Sequence, residues 1–317
     1  MYVITGATGA LNGATVDRLL ETVPAAEVVV VARDVAKAAH LAARGVTVRP
    51  GDYADPATLR EAFAGADQLL LVSSSDPGAD AVSLHRHAVD AAVAVGAGRV
   101  LYTSHQGAGI DSPFGPARDH AATERMLAES GLAWTALRNG FYAHSLAWLM
   151  GDWRGSGAFS VPADGPVSWT SRDDAAEAAA AVLLSGGAFD GPVTLTAAAA
   201  TTFAEAAAIA GEIAGRPVER IVVGEDAWLA EQVAAGTPEP MARFTLGIYL
   251  AAAEGRFAGV DPLLARLLGR EPATVRELLA GPQNGPENGP QSGPESSPGT
   301  GPESGSETGP ESEPSAA

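Results

Sequence analysis

Residues 1–13, MYVITGATGALNG, run a short apolar segment straight into a glycine-rich turn. Val3 and Ile4 are β-branched, Gly6 and Gly9 stand three residues apart, and the residues from Ala14 to Leu20 repeat at a helical period. The order is strand, turn, helix. Gly6 permits a tight turn, and Gly9 lets the backbone approach a phosphate that a Cβ would strike. The helix N-terminus then offers N–H groups and partial positive charge to an anion. This is the pattern of a dinucleotide pyrophosphate site, provided that the rest of the chain supplies the βαβ context.

That context follows. Strands are expected at 2–5, 27–32, 46–49, 68–72, 99–103 and 133–137. Helices fall after Leu11 and at 35–43, 57–63, 81–95 and 116–130, with Gly131 closing the last of them. Regular alternation predicts an α/β, doubly wound parallel-sheet Rossmann fold. Beyond Gly140 the rhythm loosens, with helices expected at 142–153, 173–184 and 203–214, a strand at 192–196 and further helices up to Leu279. The chain therefore divides into a dinucleotide-binding Rossmann core over 1–140, a mixed segment over 141–280 and a tail over 281–317. The middle segment is expected to complete the core and form a smaller C-terminal α/β substrate lobe at the sheet edge where ligands sit.

The tail has no basic or aromatic residue and is dominated by Gly, Pro, Ser and Glu, so it is expected to be disordered and acidic. The 317 residues carry a net charge of −18; six glutamates lie in the tail, leaving about −12 on the remainder. So acidic a surface argues against binding nucleic acid or an anionic membrane. The absence of cysteine excludes disulfides, thiolate zinc sites and a cysteine nucleophile. No leader or apolar run long enough to span a bilayer is read, so a cytoplasmic location is expected.

The second strand, Val28 to Ala32, ends in Arg33, where an NAD-selecting site places an acid. A guanidinium there suits a 2′-phosphate, and Lys37, the only lysine in the chain, lies four residues on. NADPH is expected in preference to NADH. With that lone lysine the chain cannot build the tyrosine–lysine pair, four residues apart, of most short-chain dehydrogenases. No His-Glu-x-x-His run or Gly-x-Ser-x-Gly elbow occurs, and His85 and His87 point to different faces of one helix. Hydride transfer, or cofactor binding without transfer, is left; neither a metal nor a flavin is implied.

Seven segments then carry a resemblance: ITGATGAL at 4–11, VVARDVAKA at 30–38, GDYADPATLREAFAGAD at 51–67, LLLVSSS at 69–75, YTS at 102–104, HAATERMLAESGLAWTALRNGFY at 120–142 and AGTPEPMARFTLGIYLAAAEG at 235–255. In that order, over nearly all of 1–280, the chain resembles the NmrA-like atypical short-chain dehydrogenase/reductases. The branch is that of bacterial NAD(P)H:quinone oxidoreductase type 2 and triphenylmethane reductase. The resemblance implies that Gly6, Ala7, Thr8, Gly9, Ala10 and Leu11 surround the pyrophosphate and that Arg33 meets the 2′-phosphate. It places Ser73, Ser74 and Ser75 along the ribose beside the nicotinamide, with Thr103 and Ser104 where the wider superfamily keeps a catalytic serine. Leu137, Arg138, Asn139, Gly140, Phe141 and Tyr142 approach the carboxamide and substrate, and Arg172 adds a further contact. His120 falls where plant isoflavone-reductase-like relatives carry a lysine; with Glu124 four residues on, it is read as a proton donor or as half of a structural pair.

The chain departs from that pattern at Asn12, where a third glycine is usual and where asparagine either caps the helix or crowds the pyrophosphate; Gly13 follows. His105-Gln106 places two polar side chains at the expected pocket rim. The expected function is an NADPH-dependent oxidoreductase passing a hydride to an electron-poor planar acceptor, most simply a quinone, with Phe141, Tyr142, Trp148 and Trp153 as aromatic walls. His120 and Tyr142 are the candidate proton donors. The alternatives are a non-catalytic redox sensor that binds NADP(H) and a protein partner, and a biosynthetic reductase acting on an aromatic metabolite.

Overall fold

A computed structural model describes residues 1–74 and 78–281. Ser75 and the tail beyond 281 lie outside the described residues. The strands are β1 Tyr2–Thr5, β2 Val28–Ala32, β3 Thr47–Pro50, β4 Gln68–Leu71, β5 Arg99–His105, β6 Ala133–Asn139, β7 Ala158–Val161, β8 Gly191–Leu195 and β9 Glu219–Val222. The helices are α1 Ala10–Leu19, α2 Ala39–Ala42, α3 Pro56–Phe63, α4 Ala81–Val95, α5 Gly115–Glu129, α6 His144–Leu149 and α7 Trp153–Ser156. They continue as α8 Arg172–Leu184, α9 Phe203–Ala214, α10 Glu225–Ala234, α11 Glu239–Ala253, α12 Leu263–Leu268 and α13 Val275–Ala280.

Seven strands form one parallel sheet in the order β3-β2-β1-β4-β5-β6-β8. A parallel sheet is covered by helices on both faces, which is why its strands are continuous apolar runs. Val3, Val29 and Val31 pack on one face with Phe63 and Ala88, whereas Ile4, Val28 and Val30 pack on the other with Val16, Leu19 and Ala179. A third core lies beyond the sheet edge, built on Trp153, Trp169, Phe203, Trp228, Tyr249 and Phe257. Together with the two-stranded parallel ribbon β7-β9 it forms the smaller lobe.

Two expected helices are broken. The stretch 35–43 begins as a 3₁₀ turn over Val35–Ala38, where Asp34 accepts a hydrogen bond from Ala36 N–H, before the short α2. The stretch 142–153 divides into α6 and α7 around Gly151, whose φ of +57° is left-handed and stops the first segment. Strands β5 and β6 each run two residues past their expected ends because they pair in register as far as His105 and Asn139. Among the described residues no helix is long and apolar enough to cross a membrane.

The winding reverses between β1 and β4, which are neighbours in the sheet, and this is where doubly wound sheets open a crevice. The chain enters it through Gly6, at φ +65°, where an added Cβ would lie 2.6 Å from Val72 Cγ1. Gly6→Ala combines a left-handed alanine, about 1–2 kcal/mol, with overpacking of about 1–3 kcal/mol. Urea unfolding is expected to show a loss of roughly 2–5 kcal/mol on those grounds; an unchanged midpoint would mean that the turn is not held against Val72.

Candidate active site

Two cavities, of about 310 and 270 Å³, meet above the switch point and share Gly6, Gly9, Val72 and Ser73, so they form one crease. Gly9 N–H donates to Gly6 C=O at 3.0 Å and closes the turn. A Cβ on Gly9 would meet nothing nearer than Gly6 O at 3.4 Å, so the open space above it is cavity. Gly9 is also the N-cap of α1, and no side chain caps that helix, which leaves its first-turn N–H groups to an anion.

The larger half is lined by Thr5, Thr8, Arg33, Lys37, Tyr53 and Ser74. The Tyr53 hydroxyl shares a 2.7 Å hydrogen bond with Thr5 Oγ1 and donates to Val72 C=O at 3.2 Å, pinning the end of β4 beside β1. Burial raises its pKa, so it stays protonated. Ser74 N–H donates to His85 Nε2 at 2.7 Å, and His85 Nδ1 lies 2.8 Å from Thr123 Oγ1. Thr123 donates to Asp119 C=O, so its oxygen accepts from Nδ1–H, which fixes the tautomer. His85 thus anchors the loop after β4 rather than binding a metal, while His87 turns away to Tyr53 C=O. Glycine cradle, uncapped helix and basic rim together fit a dinucleotide.

Asn12 does not cap α1: it lies within that helix and lines the smaller half of the crease. It is buried, and its Nδ2 donates to Thr5 C=O at 2.8 Å, tying the helix back to β1. The close approach expected of a third glycine falls on Gly13, where a Cβ would lie 3.0 Å from Ala7 O. Ala7 is buried beneath the turn and lines neither half of the crease, unlike Thr8, Ala10 and Leu11.

The smaller half is lined by Thr103 from the sheet, Phe141 and Tyr142 after β6, His144 and Trp148 from α6, and Arg172 at the start of α8. Thr103 Oγ1 accepts from Ser73 N–H at 2.8 Å. Arg172 donates to His144 Nε2, and burial followed by the guanidinium charge holds that histidine down at about 3, so it is neutral. Asn139 Nδ2 donates to the Tyr142 hydroxyl oxygen at 3.1 Å. That bond uses the oxygen's lone pair and leaves the phenolic hydrogen available. Burial raises the Tyr142 pKa against smaller opposing effects of Asn139 and Arg172.

Several expected residues are placed elsewhere. Ser104 points away from Thr103 and donates to Glu124 Oε1 at 2.6 Å; Arg138 grips the same carboxylate through two hydrogen bonds of 2.9 and 2.5 Å. Glu124 is therefore committed to Arg138 and does not pair with His120. His120 Nδ1 lies 2.8 Å from the Tyr102 hydroxyl, and the residue lines neither half of the crease. Burial, then the neighbouring His105 and His85, lowers its pKa well below 6.5, so it carries no proton to give as an imidazolium near neutrality. Leu137 is core, and Gly140 N–H donates to Leu195 C=O. Trp153 is buried in the third core rather than in the aromatic wall. His105 packs edge-on to Phe141 and Phe257, and Gln106 bonds Ser168 and Gly259, so this pair fastens the lobe to the sheet instead of lining the crease.

Residues 6–186 match the NAD(P)H-binding family. Quinone oxidoreductase 2 of Escherichia coli is 36% identical over 278 residues, covering 87% of this chain and 96% of that protein. The crystal structure of the NADPH-dependent quinone oxidoreductase of E. coli complexed with NADPH superposes with a TM-score of 0.83 at 35% identity, covering 88% of this chain and 99% of that one. Triphenylmethane reductase of Citrobacter sp., complexed with NADP(H), gives 0.80 at 33% identity, with 88% and 99% covered.

The buried histidines make a stability prediction. His85 and His105 are held down at about 4 and His144 at about 3, by burial in each case, while unfolded histidine titrates near 6.5. Between those values the unfolded chain binds protons that the folded chain does not, so stability present above pH 6.5 is lost as pH falls. Tm is expected to be flat from pH 8 to 7 and to decline between 6.5 and 5, above the carboxylate range; a Tm that holds level down to pH 5 would contradict this placement. Asn12→Gly, which removes the Thr5 bond worth about 1 kcal/mol, should lower Tm by roughly 2–4 °C while leaving NADPH affinity within about threefold.

Proposed function

The chain belongs to the NAD(P)H-binding family and, within it, to the NmrA-like atypical short-chain dehydrogenase/reductases, and from that premise we propose that this NAD(P)H-dependent oxidoreductase uses NADPH to reduce an electron-poor planar acceptor, most simply a quinone. The observation that carries this reading is the single crease with a basic pair at one end and a protonated tyrosine among aromatic rings at the other.

Arg33 and Lys37 line the crease beyond the end of β2, where a 2′-phosphate is read in dinucleotide sites; the guanidinium offers a two-pronged grip and the ammonium adds charge. The first-turn N–H groups of α1 and the open space above Gly9 receive the pyrophosphate. Ser73, Thr103 and Arg172 line the half in which the nicotinamide end and the acceptor meet. NADPH, when bound, supplies the hydride.

The chain's own part is positioning and a proton. Phe141, Trp148, Phe244 and Ile248 make an apolar wall that excludes water and favours a flat acceptor. The Tyr142 hydroxyl, its oxygen held by Asn139, presents its hydrogen to the acceptor's carbonyl oxygen. Such a weak acid suffices because a quinone is reduced readily once its ring is positioned, and positioning is what a preformed crease provides. No tyrosine–lysine pair is then needed. The names of the relatives, quinone oxidoreductase 2 and triphenylmethane reductase, point to the same kind of chemistry.

Mixing the purified chain with NADPH and a panel of small quinones should oxidise the cofactor, followed by its absorbance; cofactor binding without turnover across the panel would instead assign the sensor reading. Replacing Arg33 and Lys37 with alanine should raise KM for NADPH at least tenfold, since each charge-assisted bond is worth about 1.5–3 kcal/mol, and leave NADH unchanged. Tyr142→Phe should lower kcat with a quinone about tenfold, the equivalent of one hydrogen bond, without altering NADPH affinity.

A further inference from the structure

Val72 and Ser73 belong to both halves of the crease, and Ser74 follows on the wall of the larger half, so the segment leaving β4 is the waist between the basic rim and the Tyr142 end. Side chains from two other elements hold that waist by its backbone. Ser73 N–H donates to Thr103 Oγ1, on β5, at 2.8 Å, and Ser74 N–H donates to His85 Nε2, on α4, at 2.7 Å. His85 is 3% exposed and lines neither half of the crease. Its ring is fixed on two further sides, by Thr123 Oγ1 at 2.8 Å from Nδ1 and by Tyr102, edge-on with ring centroids 5.4 Å apart.

A buried polar ring is costly unless its nitrogens are bonded, and an aliphatic side chain would fill the same space without that demand. What an aliphatic residue could not supply is an acceptor for Ser74 N–H. Thr123 passes its own hydrogen to Asp119 C=O at 2.8 Å, so it takes Nδ1–H and leaves the Nε2 lone pair to Ser74. Burial holds the ring's pKa down at about 4, so Nε2 stays free of a proton through the neutral range. Resting on the reading of the crease as an NADPH site, we propose that His85 is a positioning residue: by fixing Ser74 it sets the register in which a dinucleotide gripped at Arg33 delivers its nicotinamide to the Tyr142 end. A displaced waist leaves the phosphates bound and the ring misplaced, and misplacement by about 1 Å can cost about a hundredfold in rate.

His85→Leu, His85→Gln and Thr123→Val are compared with the natural chain in the fluorescence of bound NADPH, in affinity for 2′,5′-ADP, and in steady-state reduction of 2-methyl-1,4-naphthoquinone. Leucine removes the acceptor, and glutamine returns one at a similar reach. Valine, outside the crease, removes the group that selects the tautomer. His85→Leu is expected to lower kcat at least tenfold and to abolish at least half of the change in nicotinamide emission on binding, while KM for NADPH and Kd for 2′,5′-ADP stay within about threefold. Thr123→Val should move the same readouts in the same direction, which keeps the test in force where the leucine variant fails to fold. His85→Gln should return kcat to within about threefold of the natural value. A leucine variant that keeps both kcat and emission, a glutamine variant as impaired as leucine, or 2′,5′-ADP affinity falling in step with kcat would overturn the proposal. A natural chain that binds NADPH but reduces no quinone would overturn the reductase reading alone, leaving the emission and 2′,5′-ADP readouts to judge His85; one that binds no NADPH would overturn both.

Discussion

The passage of the backbone from β1 into α1 constrains everything around it. At Gly6 the chain turns in a left-handed conformation hard against Val72, and there is no room for a side chain. Because β1 and β4 are neighbours at the point where the winding reverses, this contact brings the glycine turn, the end of β4 and the N-terminus of α1 together. The secondary ties reinforce it: Asn12 to Thr5, Tyr53 to Thr5 and Val72, His85 to Ser74. Each fastens a loop that lines the crease to an element of the sheet, so the walls are set before any ligand arrives.

The fold was legible because its signals are local. Four consecutive valines buried on both faces, a glycine spacing of three and a repeated strand–helix rhythm are read within windows of a few residues. The basic rim was legible for the same reason, since Arg33 and Lys37 lie within one turn of the end of β2. What escaped sequence reading is contact between distant segments. Nothing near Glu124 announces that its partner is Arg138 rather than His120, because β6 and α5 meet only after folding. The apolar wall contributed by Phe244 and Ile248 comes from α11, a hundred residues beyond Tyr142, and carries no local mark. The cap read at Asn12 fails because that residue lies inside α1, with Gly9 as the N-cap and its own amide turned inward to Thr5, while the neighbouring Gly13 makes the close approach.

The two ends of the crease use charge differently. At the Arg33 end cations stand exposed at the rim; at the Tyr142 end burial keeps Tyr142 protonated and His144 unprotonated beside the Arg172 guanidinium. A mainly apolar chamber, with Arg172 as its charged lining residue, next to a cationic grip suits a reaction in which a charged carrier is held at one end and an uncharged ring reacts at the other. His120, the sequence's most conspicuous acid–base candidate, belongs instead to a buried cluster with Tyr102 and His105 that supports α5.

The most direct measurement is amide hydrogen exchange of the full chain with and without NADPH. Slowed exchange is expected at residues 6–11, at 72–74 and around 141–145, the backbone of one continuous crease. Binding that leaves the 6–11 turn unprotected would contradict the placement of the dinucleotide at the switch point.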